Sequence, residues 1–206
     1  VFSTKIKTYT KNKNFWSSFE LMLLDLKADI ARYSAFSSLH WILLLISTKG
    51  LWVSTQYRFS RWVHFYCHLL LIRQCLKVLC FFSQKVVEAL TGAEIANRAQ
   101  IGKGVFMPHT NGIVIHTDAI IGENCNIGHQ VTIGIGGRGR KRGVPIVGDR
   151  VFIGPGAKLF GSFLIGSDAA IGANAVVTKD IPANAVALGI PARVVNFEGS
   201  KDYVVI

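Results

Sequence analysis

From Ile95 to Val177 an aliphatic residue or methionine returns at every sixth position, a period that neither an α-helix nor an ordinary strand produces. Ile95, Ile101 and Met107 share one phase. Ile115, Ile121, Ile127 and Ile133 share a second, and Val147, Ile153, Leu159, Ile165, Ile171 and Val177 share a third. Glycine often follows at once, as in Ile101-Gly102, Ile127-Gly128, Ile153-Gly154 and Ile171-Gly172. One inward aliphatic per hexapeptide, with a small residue at each corner, fits a parallel coil of flat faces. Three faces make a triangular turn of about eighteen residues, and each turn stacks its backbone on the next.

A regular prism has no pocket, so chemistry is expected where the phase breaks. The first break places Pro108-His109-Thr110-Asn111-Gly112 outside the repeat. The second ejects 134–145 as a glycine-rich basic loop with Arg138, Arg140, Lys141 and Arg142. Loops on a rigid scaffold are the usual seat of function.

Composition divides the chain near residue 90. Residues 1–90 hold all four tryptophans and one glycine (Gly50) but no proline; the remainder holds nineteen glycines and all five prolines. Helix interiors exclude Gly and Pro, whereas tight turns consume them. The expected fold class is therefore α+β. A helical, apolar domain over 1–90 precedes a β-coil over 91–195 with its protruding loop 134–145, and 196–206 form a tail. In the helical part Phe19, Met22, Leu23, Leu26 and Ile30 recur at helical spacing, leaving Asp25, Lys27 and Asp29 on other faces. Residues 41–46 and 62–82 read as apolar helices that pack against other helices or the base of the coil.

Residues 1–90 carry 12 basic against 4 acidic residues, a net of +8. Such a half suits anionic lipid, nucleic acid or an anionic ligand, and equally a solvated basic face. The longest stretch without a charge is 33–48, shorter than the roughly 20 apolar residues of a bilayer span; a peripheral membrane contact remains open to the helices. The start of the chain shows no cleavable signal pattern. Cys67, Cys75, Cys80 and Cys125 form no C-x-x-C pair and read as buried thiols of a reducing compartment, which makes a cytoplasmic location the expectation.

Histidine is the side chain that most often serves as a base near neutral pH. Of the six histidines, His40, His64 and His68 lie in aromatic helical segments, and His116 and His129 lie inside regular hexapeptides. His109 alone sits in a phase break, beside Pro and Gly.

The runs 94–112, Asn126-Ile127-Gly128-His129-Gln130-Val131-Thr132-Ile133-Gly134 and Gly189-Ile190-Pro191-Ala192-Arg193 resemble the hexapeptide-repeat acyltransferases, in particular serine O-acetyltransferase and related sugar and polysaccharide O-acetyltransferases. The resemblance implies a left-handed parallel β-helix, acetyl-CoA as co-substrate, no metal and a homotrimer with its site between prisms. The family's His-x-x-Gly base falls on His109, and the acid orienting it falls on Glu94, where the family has aspartate. Pantetheine would lie along Gly134, Gly136, Gly154, Ala157 and Ala173, with Lys179 and Arg193 toward the CoA phosphates.

The departures concern the acceptor. Pro108 stands where the resemblance implies an aspartate, Gly143-Val144 where it implies an Arg-His pair, and a further aspartate falls near Ser37, with no acid adjacent. An α-ammonium needs a carboxylate partner, so a sugar or polysaccharide hydroxyl is the expected acceptor, with Arg138, Arg140 and Arg142 toward the substrate. Free serine is the alternative. Two further alternatives are a non-catalytic coil scaffold and a metal site on His109, His116 and His129 of the γ-carbonic-anhydrase kind; nucleic acid is not an expected partner.

Overall fold

The computed structural model describes residues 15–35, 40–68, 70–139 and 142–204. Among these, four helices precede the coil: α1 (Phe15–Ser34), α2 (Trp41–Ser47), α3 (Lys49–Tyr66) and α4 (Leu70–Thr91). The apolar run expected as one helix over 62–82 is two. The chain leaves the helix at Cys67 (φ −78°, ψ 104°), which lets α4 pack on α3 and bury Trp62, Val63 and Cys80 in one small cluster. The other side of α4 is open: Leu71, Val78, Leu79, Phe82 and Val86 are exposed, contrary to the expectation that this helix is enclosed. No helix among the described residues is long and apolar enough to cross a membrane. Cys75 faces outward on α4, so three of the four cysteines are buried rather than all. Burial pushes the Cys125 thiol up to about 12.

Three parallel sheets form the coil. The first face stacks β1 (Glu94–Ile95), β3 (Val114–Ile115), β6 (Thr132–Gly134), β9 (Lys158–Phe160) and β12 (Val176–Val177). The second stacks β2 (Gln100–Ile101), β4 (Ile120–Ile121), β7 (Ile146–Val147) and β10 (Leu164–Ile165). The third stacks β5 (Asn126–Ile127), β8 (Phe152–Ile153), β11 (Ala170–Ile171) and β13 (Val186–Leu188), and β14 (Arg193–Asn196) closes it as an antiparallel edge. All thirteen hexapeptide positions are buried. So is the residue two before each, for example Ala93, Val105, Ile113, Cys125 and Val131. The second inward column escaped the sixfold reading because its members vary from Ala to Phe.

Corners turn through the left-handed region three residues after an inward aliphatic. Asn124, Arg150, Asp168 and Asn184 occupy one such column, and Gln130, Gly156 and Asn174 another, which Gly112 joins at the end of the extended 107–115 turn. Asn, Asp and Gly tolerate this conformation best. The tail folds back over the third face: Ser200 Oγ donates to Arg150 O (2.6 Å), and the Tyr203 ring stacks on Phe152 at 4.6 Å.

A buried polar seam joins helices to coil. Asp29, expected on a solvent side of its helix, is fully buried. It accepts Arg58 Nε (2.6 Å) and Nη2 (2.8 Å), and also the backbone N–H groups of Gly104 (2.8 Å) and Val105 (3.1 Å). Burial opposes the Arg58 charge, but Asp29 and then Asp25 outweigh it and hold the guanidinium above its ordinary range. Arg32 donates to Gly104 O (2.9 Å) and Asn126 Oδ1 (2.6 Å), while Asn126 Nδ2 donates to Tyr203 O (2.6 Å). Tyr57 Oη donates to Ala99 O (2.7 Å) and accepts Ile101 N–H (3.1 Å). Gly50 is required where α3 meets the coil, because a Cβ there would stand 2.1 Å from Tyr33 Oη and 2.2 Å from Met107 O.

Candidate active site

His109 lies on the corner between the third and first faces, on a turn two residues longer than the regular hexapeptide. The turn is pinned at both ends by the helical part. Tyr33 Oη accepts Met107 N–H (2.9 Å) and donates to Met107 O (3.1 Å). Beyond His109, Thr110 Oγ1 donates to Thr91 O (2.9 Å) at the end of α4, and Gly112 N–H donates to Gly92 O (2.8 Å). Pro108 and His109 are exposed between these anchors while Met107 and Thr110 are buried. The helices thus serve to fix the one irregular turn of the upper coils.

One coil further along the same corner stands His129. The two imidazole rings are 6.0 Å apart between centroids and inclined at 80°. Among the described residues neither ring has a hydrogen-bond partner. His116 lies on the opposite edge of the first face, where its Nδ1 accepts the Asp118 N–H (3.2 Å). The three histidines therefore do not converge, and no group of three or more His, Cys, Asp or Glu among the described residues is placed to hold a metal ion. The helical histidines take no part; His64 is held below its ordinary value by burial, and by Lys77 and neighbouring arginines.

Glu94 is exposed on β1, in register with Val114, the first residue of the strand that follows the His109 turn. No hydrogen bond joins its carboxylate to His109. Gly154 and Ala173 lie on the His109 corner in the two coils beyond that of His129, Gly154 buried and Ala173 exposed, with successive coils about 4.8 Å apart. Arg193 is exposed just past Ala192, whose N–H donates to Val176 O (2.9 Å) at the far end of this corner. Three assignments are corrected. Ala157 points into the core and is fully buried, Gly134 is covered by the Phe160 ring, whose Cε1 would lie 2.7 Å from a Cβ there, and Gly154 is buried under the next coil, where a Cβ would lie 2.7 Å from Ala173 N. None of the three offers a ligand a surface.

The remaining assignments fall on the other corner. Gly136 pairs with Gly143 to close the stem of the loop (N–H to O 3.0 Å both ways), and exposed Arg138 and Arg142 project from it. Lys179 is exposed on that same first-to-second corner. The first face lies between this group and His109, so within one chain the loop arginines and His109 do not meet. Arg140 and Ser37 lie outside the described residues. A cleft of about 150 Å³ between Met22, Trp62 and Tyr66 of the helices and Gln100, Ile120 and Glu123 of the coil opens on the second face, away from His109.

With that geometry in view, the hexapeptide repeat of succinyl-transferase matches residues 118–136 and 145–179. A serine acetyltransferase of Mycobacterium tuberculosis is 42% identical over 134 residues, which cover 65% of this chain and 58% of that protein. The chain thus spans under two thirds of that relative's length. Among solved structures, a serine acetyltransferase of Neisseria gonorrhoeae in complex with serine superposes with a TM-score of 0.69 at 30% identity, covering 86% of this chain and 70% of that one. A serine acetyltransferase of Brucella abortus in complex with coenzyme A gives a TM-score of 0.73 at 26% identity, covering 89% and 74%.

Proposed function

Because the chain belongs to the hexapeptide-repeat acyltransferase superfamily, we propose that it transfers an acetyl group from acetyl-CoA to a hydroxyl acceptor, with His109 as general base. The observation that carries this is the His109 turn: an exposed imidazole on a corner two residues longer than the regular hexapeptide, held at Met107 and Thr110, with an edge running away from it past His129 to the exposed Ala173. A neutral imidazole there takes the acceptor proton as its oxygen attacks the thioester. Pantetheine follows that edge, and Arg193, exposed at its far end, is the assigned cation that lies on this edge and would meet a CoA phosphate there. Gly136 and Lys179, on the other corner, reach a cofactor only if it belongs to a neighbouring prism. The same holds for Arg138 and Arg142 toward a substrate at a neighbour's His109, which is a reason to propose a homotrimer with composite sites.

Glu94 is proposed to orient the imidazole when substrates are bound, since hydrogen bonds of free sites are often long and tighten in the complex. Glu94→Gln should then lower turnover while leaving the unfolding midpoint in place, because an amide stabilises an imidazolium less than a carboxylate does. Equal rates in the two proteins would remove Glu94 from the mechanism.

Similarity favours L-serine as the acceptor over the sugar hydroxyl expected from the sequence, since the relatives named above are serine acetyltransferases. In that case the loop arginines are the partners available to the amino acid's carboxylate. A second reading, a neutral hydroxyl such as that of a glycoside, rests on Pro108, Gly143 and Val144, none of which can pair an ammonium or a carboxylate. Steady-state thiol release from acetyl-CoA with L-serine and with neutral glycosides separates the two. Loss of a buried charge partner weakens recognition by about 2–5 kcal/mol. The serine reading expects saturable turnover of serine at millimolar concentration; the neutral reading expects serine to be poor and a glycoside to replace it.

A further inference from the structure

The proposed mechanism leaves one side chain at the His109 corner without a role. His129 occupies the same corner one coil on, and its ring is half-buried, 6.0 Å from that of His109 and nearly perpendicular to it. Its backbone is held from three sides. His129 O accepts the Gly156 N–H (2.8 Å), Gln130 N–H donates to Asn111 O (2.8 Å), and the Lys158 ammonium donates to Gln130 O and to Thr132 Oγ1. Gln130 takes the left-handed conformation (φ 58°) that sharpens the turn and presents the preceding ring outward. A surface imidazole on a backbone so firmly held, with both ring nitrogens unengaged, is a donor ready for a ligand.

We infer that His129 is a second catalytic residue, donating its ring N–H to the oxygen of the acyl group as negative charge develops there. This rests on the acetyl-transfer reading above and deepens it. The acceptor oxygen attacks the thioester carbonyl carbon and its proton passes to His109. The carbonyl π pair moves onto oxygen, where His129 donates its hydrogen bond. As the C=O bond re-forms, the C–S bond breaks and the proton on His109 passes to the departing sulfur, giving the ester and free thiol. Two hydrogen bonds of about 2.7–3.1 Å, one to each of two oxygens on a single tetrahedral carbon, span a gap of the order that separates the two rings. The position also suits the order of the edge: the thioester end of a pantetheine coming along this corner from the exposed Ala173 arrives at His129 before His109.

The test is thiol release from acetyl-CoA by the full chain and by His129→Ala, His129→Gln and His129→Phe, with KM for acetyl-CoA and unfolding midpoints measured in parallel. Removal of an oxyanion donor lowers kcat by about 10²–10³-fold. His129→Ala and His129→Phe should both show that loss with KM little changed, and His129→Gln, which retains an N–H donor, should recover a large part of it. Equal kcat in wild type and His129→Ala overturns the inference while leaving acetyl transfer intact. So does full activity in His129→Phe, which would make the ring a packing element. If the wild type itself releases no thiol with any acceptor, the acetyl-transfer reading falls and this role with it.

Discussion

Replacing His109 with alanine should lower acetyl transfer by about 10²–10⁴-fold, the usual effect of losing a general base, with acetyl-CoA binding nearly unchanged. The turn that carries it is pinned through Met107 and Thr110 by backbone and hydroxyl bonds that do not involve the imidazole. The side chain is exposed, so its truncation removes no core contact and the fold should persist. A steady-state assay of thiol release together with a calorimetric titration of CoA checks both halves of the expectation. Near-wild-type turnover in His109→Ala would remove the base assignment. Loss of CoA affinity in parallel with rate would shift the residue from proton transfer to ligand binding.

The second large effect is on stability. Asp29→Ala should destabilise the protein by about 3–5 kcal/mol, because it strands a buried Arg58 guanidinium and two backbone donors at Gly104 and Val105. The side chains of this ion pair are 0% and 4% exposed, so solvent cannot substitute for the missing carboxylate. Asp25 offers Arg58 only a longer contact of 3.4 Å. Urea unfolding read by tryptophan fluorescence measures the change. A shift within about 0.5 kcal/mol, the range of ordinary surface substitutions, would show that the seam contributes little. The consequence extends to catalysis, since Arg58 and Asp29 fasten the helices to the first coil, and it is the helices that hold the His109 turn.

The coil was legible because its signal is periodic: each inward aliphatic marks a face, and each change of phase marks an insertion. His109 was legible for the same reason, as the one histidine in a phase break. Asp29 was not, since an acid among half-apolar helical positions looks like solvent-facing polarity until the coil is placed against it. His129 was hidden by regularity: its hexapeptide is in phase, and only stacking of the extended turn brings it beside His109. The division of the assigned residues between two corners could not be read either, because spacing gives the face a residue follows but not which corner a bound molecule occupies. The break in the apolar run at Cys67 carries no Gly or Pro to announce it and follows from α4 packing back on α3.

The central claim is that the His109 corner moves an acetyl group from a thioester to a hydroxyl. It is tested most directly by following thiol release from acetyl-CoA by the purified chain, with and without L-serine or a neutral glycoside, and by identifying the acetylated product by mass spectrometry. Acetyl transfer at this corner requires release that depends on an acceptor, yields one O-acetyl ester per thiol and disappears in His109→Ala. Release that no acceptor stimulates, or acceptor-dependent release that His109→Ala leaves intact, would contradict it.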